Sequence, residues 1–259
     1  MNAFSKTQSL GFAVLIALLL SAGCQISGTQ TNNTNSVFIF SAIDVSGTTA
    51  GERSAYASDF SKILDQMKGG DTLWADVITE SSLATARIPI KAEFAPYSAF
   101  TSNEDDYPKQ LVAQKAALNE KLAQWITTQK TPRTTILDAM LLAQKVLRGE
   151  KATAASRRVL VIFSDMLEDD GQYRFDCMNL SPAAVQQILK REKAAGRIAD
   201  LRGVTVFVAG ATADRKLDRR KIQQIEAFWR AYFSMAGTEL SDERYGASLL
   251  NFDLHQSAQ

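Results

Sequence analysis

The sequence predicts an α/β fold: a doubly wound, mostly parallel sheet with helices on both faces. Three observations lead there. Short apolar runs alternate with longer stretches of helical periodicity along the chain after residue 36. The runs are almost continuously hydrophobic, as strands covered on both faces must be. No internal repeat and no second low-complexity linker breaks the alternation, so a single domain over 37–259 is expected.

Each element has its own signal. Val37-Phe-Ile-Phe-Ser-Ala-Ile43 is short, apolar and followed by a turn, and reads as a buried strand. From Ala50 to Lys68, the residues Tyr56, Phe60, Ile63, Leu64 and Met67 recur at helical spacing, and Gly69-Gly70 closes the helix. Residues 72–78 read as a second strand. Residues 86–94 read as a weaker edge strand, because Pro89 has no N–H to give to a ladder. A polar, acidic stretch at 103–107 leads into a long helix with Leu111, Leu118, Leu122 and Trp125 on its apolar face. Another helix starts near Thr135, with Ile136, Met140, Ala143 and Leu147 on one side. Residues 158–164, Arg-Val-Leu-Val-Ile-Phe-Ser, form the clearest central strand. A polar loop is then followed by a helix over 182–198, a strand over 203–209, a helix over 218–235 and a short last strand at 249–252. Phe228, Trp229, Tyr232 and Phe233 sit at helical spacing and are expected in the core.

Residues 1–23 read as an export signal. Lys6 precedes the apolar run from Leu10 to Leu20, which is too short for a bilayer span of about 20 residues. The run ends in Leu20-Ser-Ala-Gly-Cys24, which resembles the lipobox of bacterial lipoproteins, with Ser21 standing where the usual pattern has Leu. The resemblance implies that Cys24 becomes the lipidated first residue of the mature chain. Gln25, rather than Asp, after the cysteine implies the outer membrane, facing the periplasm; the inner membrane and the cell surface are the other placements. Residues 24–36 then form a lipidated N-terminus and polar tether, almost free of core formers.

Composition excludes several chemistries. The 259 residues are 46% hydrophobic and 22% charged, an ordinary globular profile. Lys6 is the only charged residue in the signal, so the remainder carries 28 basic and 28 acidic side chains. Such a neutral balance gives no electrostatic reason to expect nucleic acid. One histidine, His255, and two cysteines leave zinc sites of the Cys/His kind short of ligands, and a Ser-His-Asp triad would have to use His255. With Cys24 lipidated, Cys177 has no partner for an internal disulfide and is expected as a half-buried, inert thiol.

The candidate site comes from three stretches. The first strand ends in Asp44-Val-Ser46-Gly-Thr48, the central strand ends in Ser164-Asp165, and Thr131-Pro-Arg-Thr134-Thr135 precedes a helix. In open α/β sheets, ligands bind beyond the carboxyl ends of the strands. If the sheet is parallel, all three stretches meet at that edge. Two carboxylates and three hydroxyls are hard oxygen donors, suited to Mg²⁺, Mn²⁺ or Ca²⁺ rather than to zinc or copper.

These stretches resemble the metal-ion-dependent adhesion site of von Willebrand factor type A domains. The family pattern is Asp-x-Ser-x-Ser after the first strand, a Thr in a later loop and an Asp ending the central strand. Asp44, Ser46 and Thr48 match the first part, with Thr48 replacing the last Ser. Thr134 matches the loop threonine, with Thr135 as its adjacent competitor, and Asp165 matches the last ligand. Met166 stands where many members have Gly. The resemblance implies a non-catalytic recognition module. Its cation, Mg²⁺ first and Mn²⁺ or Ca²⁺ next, would keep one coordination position for a carboxylate of a protein partner.

Other functions fit the same residues less well. A scaffold lipoprotein of an envelope assembly, with a vestigial metal site, needs none of the ion chemistry. A Mg²⁺-dependent phosphatase of the haloacid-dehalogenase kind needs a second acid where Ser46 stands, and a serine cannot act as a general acid near neutral pH. No Gly-rich phosphate loop is present. Glu168-Asp-Asp170 is expected as a solvated acidic loop, and the basic run at 215–221 as a solvated turn.

Overall fold

The computed structural model describes residues 35–211 and 217–255. The export segment, Cys24, the tether up to residue 34, and Arg215 and Lys216 lie outside the described residues. In chain order the elements are β1 (Val37–Asp44), α1 (Arg53–Gln66), β2 (Thr72–Ile78), α2 (Ser82–Thr85), β3 (Ile90–Glu93), α3 (Tyr107–Thr128), α4 (Ile136–Leu147), α5 (Glu150–Thr153), β4 (Arg157–Phe163), α6 (Pro182–Ala194), β5 (Val204–Ala209), α7 (Arg219–Met235) and, after a 3₁₀ turn at Asp242–Arg244, β6 (Tyr245–Gly246).

The six strands form one sheet in the order β3-β2-β1-β4-β5-β6. Every pairing is parallel except that of β2 with β3. Strand alternation assigns the core on each face. Phe38, Phe40 and Ala42 of β1 point to one side with Leu160 and Ile162 of β4, where α4, α6 and α7 cover them. Val37, Ile39 and Ile43 point to the other with Val159, Val161 and Phe163, under α1 and α3. A period of two therefore sends each apolar run into two cores at once. Phe228, Trp229, Tyr232 and Phe233 of α7 are fully buried on the first face, as expected. No helix among the described residues is long and apolar enough to cross a membrane.

Several expectations need correction. Residues 249–252 do not form a strand. Two of their backbone groups bond side chains of α1: Leu249 N donates to Asp59 Oδ2 at 3.0 Å, and the Phe252 carbonyl accepts from Gln66 Nε2 at 2.6 Å. The segment straps α1, and the last strand is instead Tyr245–Gly246, two residues long. The edge strand is shorter than expected, starting one residue after Pro89. The sixth helix stops at Ala194 because Gly196 turns left-handed at φ +68 and Arg197 N closes back onto the Glu192 carbonyl at 2.8 Å. Cys177 is exposed rather than half-buried. Glu168 is buried, not part of a solvated loop. Its Oε2 accepts from Leu137 N at 3.0 Å and so caps the first turn of α4.

Candidate metal centre

The parallel register brings the carboxyl ends of β1 and β4 side by side, since Ile43 pairs with Phe163. Asp44 is thus the last residue of its strand, and Ser164 and Asp165 follow directly on the next. The N-terminus of α4 lies at the same edge. Asp169 N donates to the Thr134 carbonyl at 2.8 Å, which fixes the α4 loop against the segment after β4.

Asp44 is the centre of the arrangement. It is fully buried, and its Oδ1 accepts from Ser46 N at 2.9 Å and from Thr134 Oγ1 at 3.3 Å. Its Oδ2 accepts from Ser164 Oγ at 2.8 Å. One carboxylate therefore ties together all three stretches. Burial raises its pKa, and the bonds from Ser46, Ser164 and Thr134 oppose the rise. Among the described residues no Lys or Arg pairs with it.

The hydroxyls stack outward from this carboxylate. Ser46 Oγ lies 3.0 Å from Thr48 Oγ1, and Thr48 is exposed at the rim. Thr134 and Thr135 are separated cleanly. Thr134 faces Asp44, whereas Thr135 Oγ1 donates to the Glu80 carbonyl at 3.2 Å, away from the site. Asp165 is buried, and its Oδ1 accepts from Leu167 N at 3.0 Å. The expected residues Asp44, Ser46, Thr48, Thr134 and Asp165 all lie at one edge.

Sequence reasoning missed three further residues. Ser164 bonds Asp44 and also accepts from Met166 N at 2.9 Å. Thr49 Oγ1 donates to the carbonyls of Asp44 at 3.0 Å and Ser46 at 3.2 Å, holding the first loop in shape. Tyr56 of α1 places here a buried hydroxyl with no hydrogen-bond partner among the described residues, and burial, then the charges of Asp44 and Asp165, push its pKa well up. The signal for Ser164 and Thr49 was available, because a buried carboxylate needs nearby donors and both sit next to proposed ligands. Tyr56 carried no such signal.

Met166 stands where the resembled pattern has Gly. It adopts φ +65, the left-handed region where glycine is at ease. Its carbonyl accepts from Trp229 Nε1 at 2.8 Å, and its side chain is fully buried, so packing holds a backbone that Gly would adopt freely. Gly210, at the end of β5, sits at φ +98 with no room for a side chain: a Cβ would come within 2.7 Å of Tyr56 Oη and 2.9 Å of the Ser164 carbonyl.

The donor set fits a hard cation. Hydroxyls that give their protons to Asp44 keep oxygen lone pairs for an ion, and Asp44 and Asp165 supply charge. A cavity of about 330 Å³ opens beside Ser46, Thr48 and Thr134 and is lined also by Arg133, Glu168 and Arg174. The set is sparse in charge. Among the described residues, no three His, Cys, Asp or Glu side chains gather into a metal-binding group.

No family model matches the chain. No curated protein matches it either. Among solved structures, it is similar to the pilus adhesin SpaC from Lactobacillus rhamnosus GG in its open conformation, at 12% identity and a TM-score of 0.44, over 83% of this chain and 28% of that one. A von Willebrand factor type A protein from Catenulispora acidiphila gives 11% identity and a TM-score of 0.41, over 78% of this chain and 42% of that one. The manganese-loaded TRAP protein of Plasmodium vivax gives 14% and 0.43, over 83% and 70%. Likenesses this distant are of fold alone. This chain spans less than half the length of the first two proteins. Its α/β class stands on its own strand order and register.

Proposed function

We propose that this chain is an envelope-anchored, non-catalytic protein-binding module, tethered by lipid at Cys24, whose docking face is the carboxyl edge of the sheet around Asp44. The observation that carries it is the single buried carboxylate of Asp44, which gathers Ser46, Thr134 and Ser164 from three distant stretches behind an exposed Thr48. Evenly spread loops would not need such a knot.

In its metal-dependent form, Ser46, Thr48 and Thr134 offer neutral oxygens and Asp44 and Asp165 offer charge to a divalent cation, Mg²⁺ first. With only two carboxylates, such an ion stays electrophilic and takes an acidic side chain of a partner as a further ligand. A second form, the scaffold with a vestigial metal site, is favoured by two specific observations. No third acidic or imidazole ligand is gathered there among the described residues, and both oxygens of Asp44 are already occupied by internal hydrogen bonds. In the scaffold form the knot holds the rim in shape and no ion takes part.

Thermal unfolding with and without Mg²⁺ or Mn²⁺ separates the two forms. The metal-dependent form predicts stabilisation that grows with cation concentration, as mass action requires. It also predicts that Asp165→Asn and Thr48→Ala, which spare the Asp44 hydrogen bonds, lose that stabilisation. Identical melting with cation and with chelator assigns the scaffold form.

A further inference from the structure

The edge of the sheet opposite the Asp44 knot carries a cleft lined by basic side chains. The described chain enters at Asn35, beside a cleft of about 640 Å³ at the amino ends of β1, β4 and β5. Lys68, Arg157, Arg244 and His255 line it, with Glu239 as the lining carboxylate. Among the described residues neither Lys68 nor Arg244 sits in an ion pair. Arg157 points one guanidinium nitrogen at the Leu254 carbonyl, 2.8 Å away. Burial, followed by the like charge of Arg244, pushes the Arg157 pKa down, and Asp253 opposes the shift. Arg157 and Arg244 thus repel one another here, Asp253 and Asp71 offset part of the cleft's positive charge, and an anion beside Arg244 and Lys68 would offset more.

The same edge carries exposed aromatics. Strand β3 runs antiparallel to β2, so its end at Glu93 lies opposite Thr72, the start of β2. The loop leaving it stays there, because Gly70 N donates to the Phe94 carbonyl at 2.6 Å and Tyr107 Oη to the Ala95 carbonyl at 2.9 Å. Lys68 is two residues from Gly70, which makes cleft and loop neighbours. In the same loop Phe100 is 99% exposed and Tyr97 48% exposed. Together Phe100 and Tyr97 hold ring surface in water that an apolar layer could take up.

We propose that this amino edge lies on an anionic phospholipid surface, with the headgroup phosphate of a lipid in the Lys68–Arg157–Arg244 cleft and Phe100 in the interfacial layer. The inference rests on the reading of Cys24 as the lipidated residue. Twelve residues separate Cys24 from Val37 and reach at most about 40 Å when extended, so the edge where the chain enters is the one kept near the lipid. Basic groups next to an anchor act as a second membrane signal, and aromatic side chains favour the headgroup layer. The knot at Asp44 then faces away from the membrane, toward partners.

The test places a bimane probe on the full chain, isolated with its native N-terminus and carrying Cys177→Ser. The probe is attached at Ala99→Cys, beside Phe100, or at Thr48→Cys, on the opposite edge. Vesicles of phosphatidylcholine with phosphatidylglycerol, or of phosphatidylcholine alone, carry headgroup nitroxide quenchers. In the anionic vesicles the probe at 99 is expected to be quenched several-fold more than the probe at 48. The excess is expected to fall in neutral vesicles, in high salt and with Lys68→Glu plus Arg244→Glu in a chain of unchanged melting temperature. Inorganic phosphate that abolishes the excess identifies the cleft as a phosphate site that lipid headgroups share. Equal quenching at 99 and 48 in protein that floats with the vesicles overturns the orientation while leaving the anchor intact. Protein that does not float with them overturns both.

Discussion

At the scale of single residues, Asp44 decides most of the site. A carboxylate without a cationic neighbour stays buried only where donors surround it, and here they come from Ser46, Thr134 and Ser164. The two adjacent threonines give a sharp comparison. Thr134→Val removes a donor from a buried carboxylate and is expected to cost about 1–3 kcal/mol. Thr135→Val removes one bond to the Glu80 carbonyl and is expected to cost about 0.5–1.5 kcal/mol. Urea unfolding of the two variants checks this, and equal losses would contradict the separation of the two hydroxyls. Much of this was legible in the sequence, since Asp44, Ser46, Thr48, Thr134 and Asp165 stand at strand and helix ends where a parallel sheet must gather them. Ser164 could have been found, as a donor beside the proposed ligand Asp165, but Tyr56 could not. Tyr56 reads as one more apolar position of a helix, and only the fold shows that its hydroxyl shares the site.

At the scale of elements, α4 is held at its start by a buried acid. Glu168 accepts from Leu137 N, while its other oxygen, Oε1, is buried with no hydrogen-bond partner among the described residues. Burial pushes its pKa well above the usual range for a carboxylate. Its folded-state pKa is thus raised above its unfolded value, so the folded protein binds the proton more tightly. Stability from this group is fully present below the unfolded value, near pH 4, and is lost as pH rises through the folded pKa. Glu168→Gln keeps an acceptor for Leu137 N and removes the charge. Its melting temperature is expected to match the wild type in acid and to exceed it increasingly toward neutral pH. Parallel curves across that range would show that Glu168 stays ionised. The acidic run was expected as solvated because three carboxylates in sequence usually are, and nothing local shows that the first of them turns inward to cap a helix. The strap at 249–252 was misread for a related reason. Its apolar residues have strand composition, but Asp59 and Gln66 of α1 claim its backbone before a ladder can form.

At the scale of the whole molecule, the sheet separates two faces. The strand order and the parallel register put the Asp44 knot at the carboxyl edge, and the chain entry, basic cleft and Phe100 at the amino edge. The fold class was legible because nearly continuous apolar runs separated by helical stretches admit few other architectures. The short β6 and the four-residue helices α2 and α5 were not, since elements that brief carry too little periodicity to register. The proposed docking face makes one prediction at this scale: partners meet the carboxyl edge. A photo-crosslinking amino acid placed in living cells at Thr48, exposed beside Ser46, or at Glu239, exposed at the opposite edge, tests it. Protein adducts are expected from position 48 and not from position 239. Adducts from position 239 with none from position 48 would contradict the assignment of the Asp44 rim as the docking face.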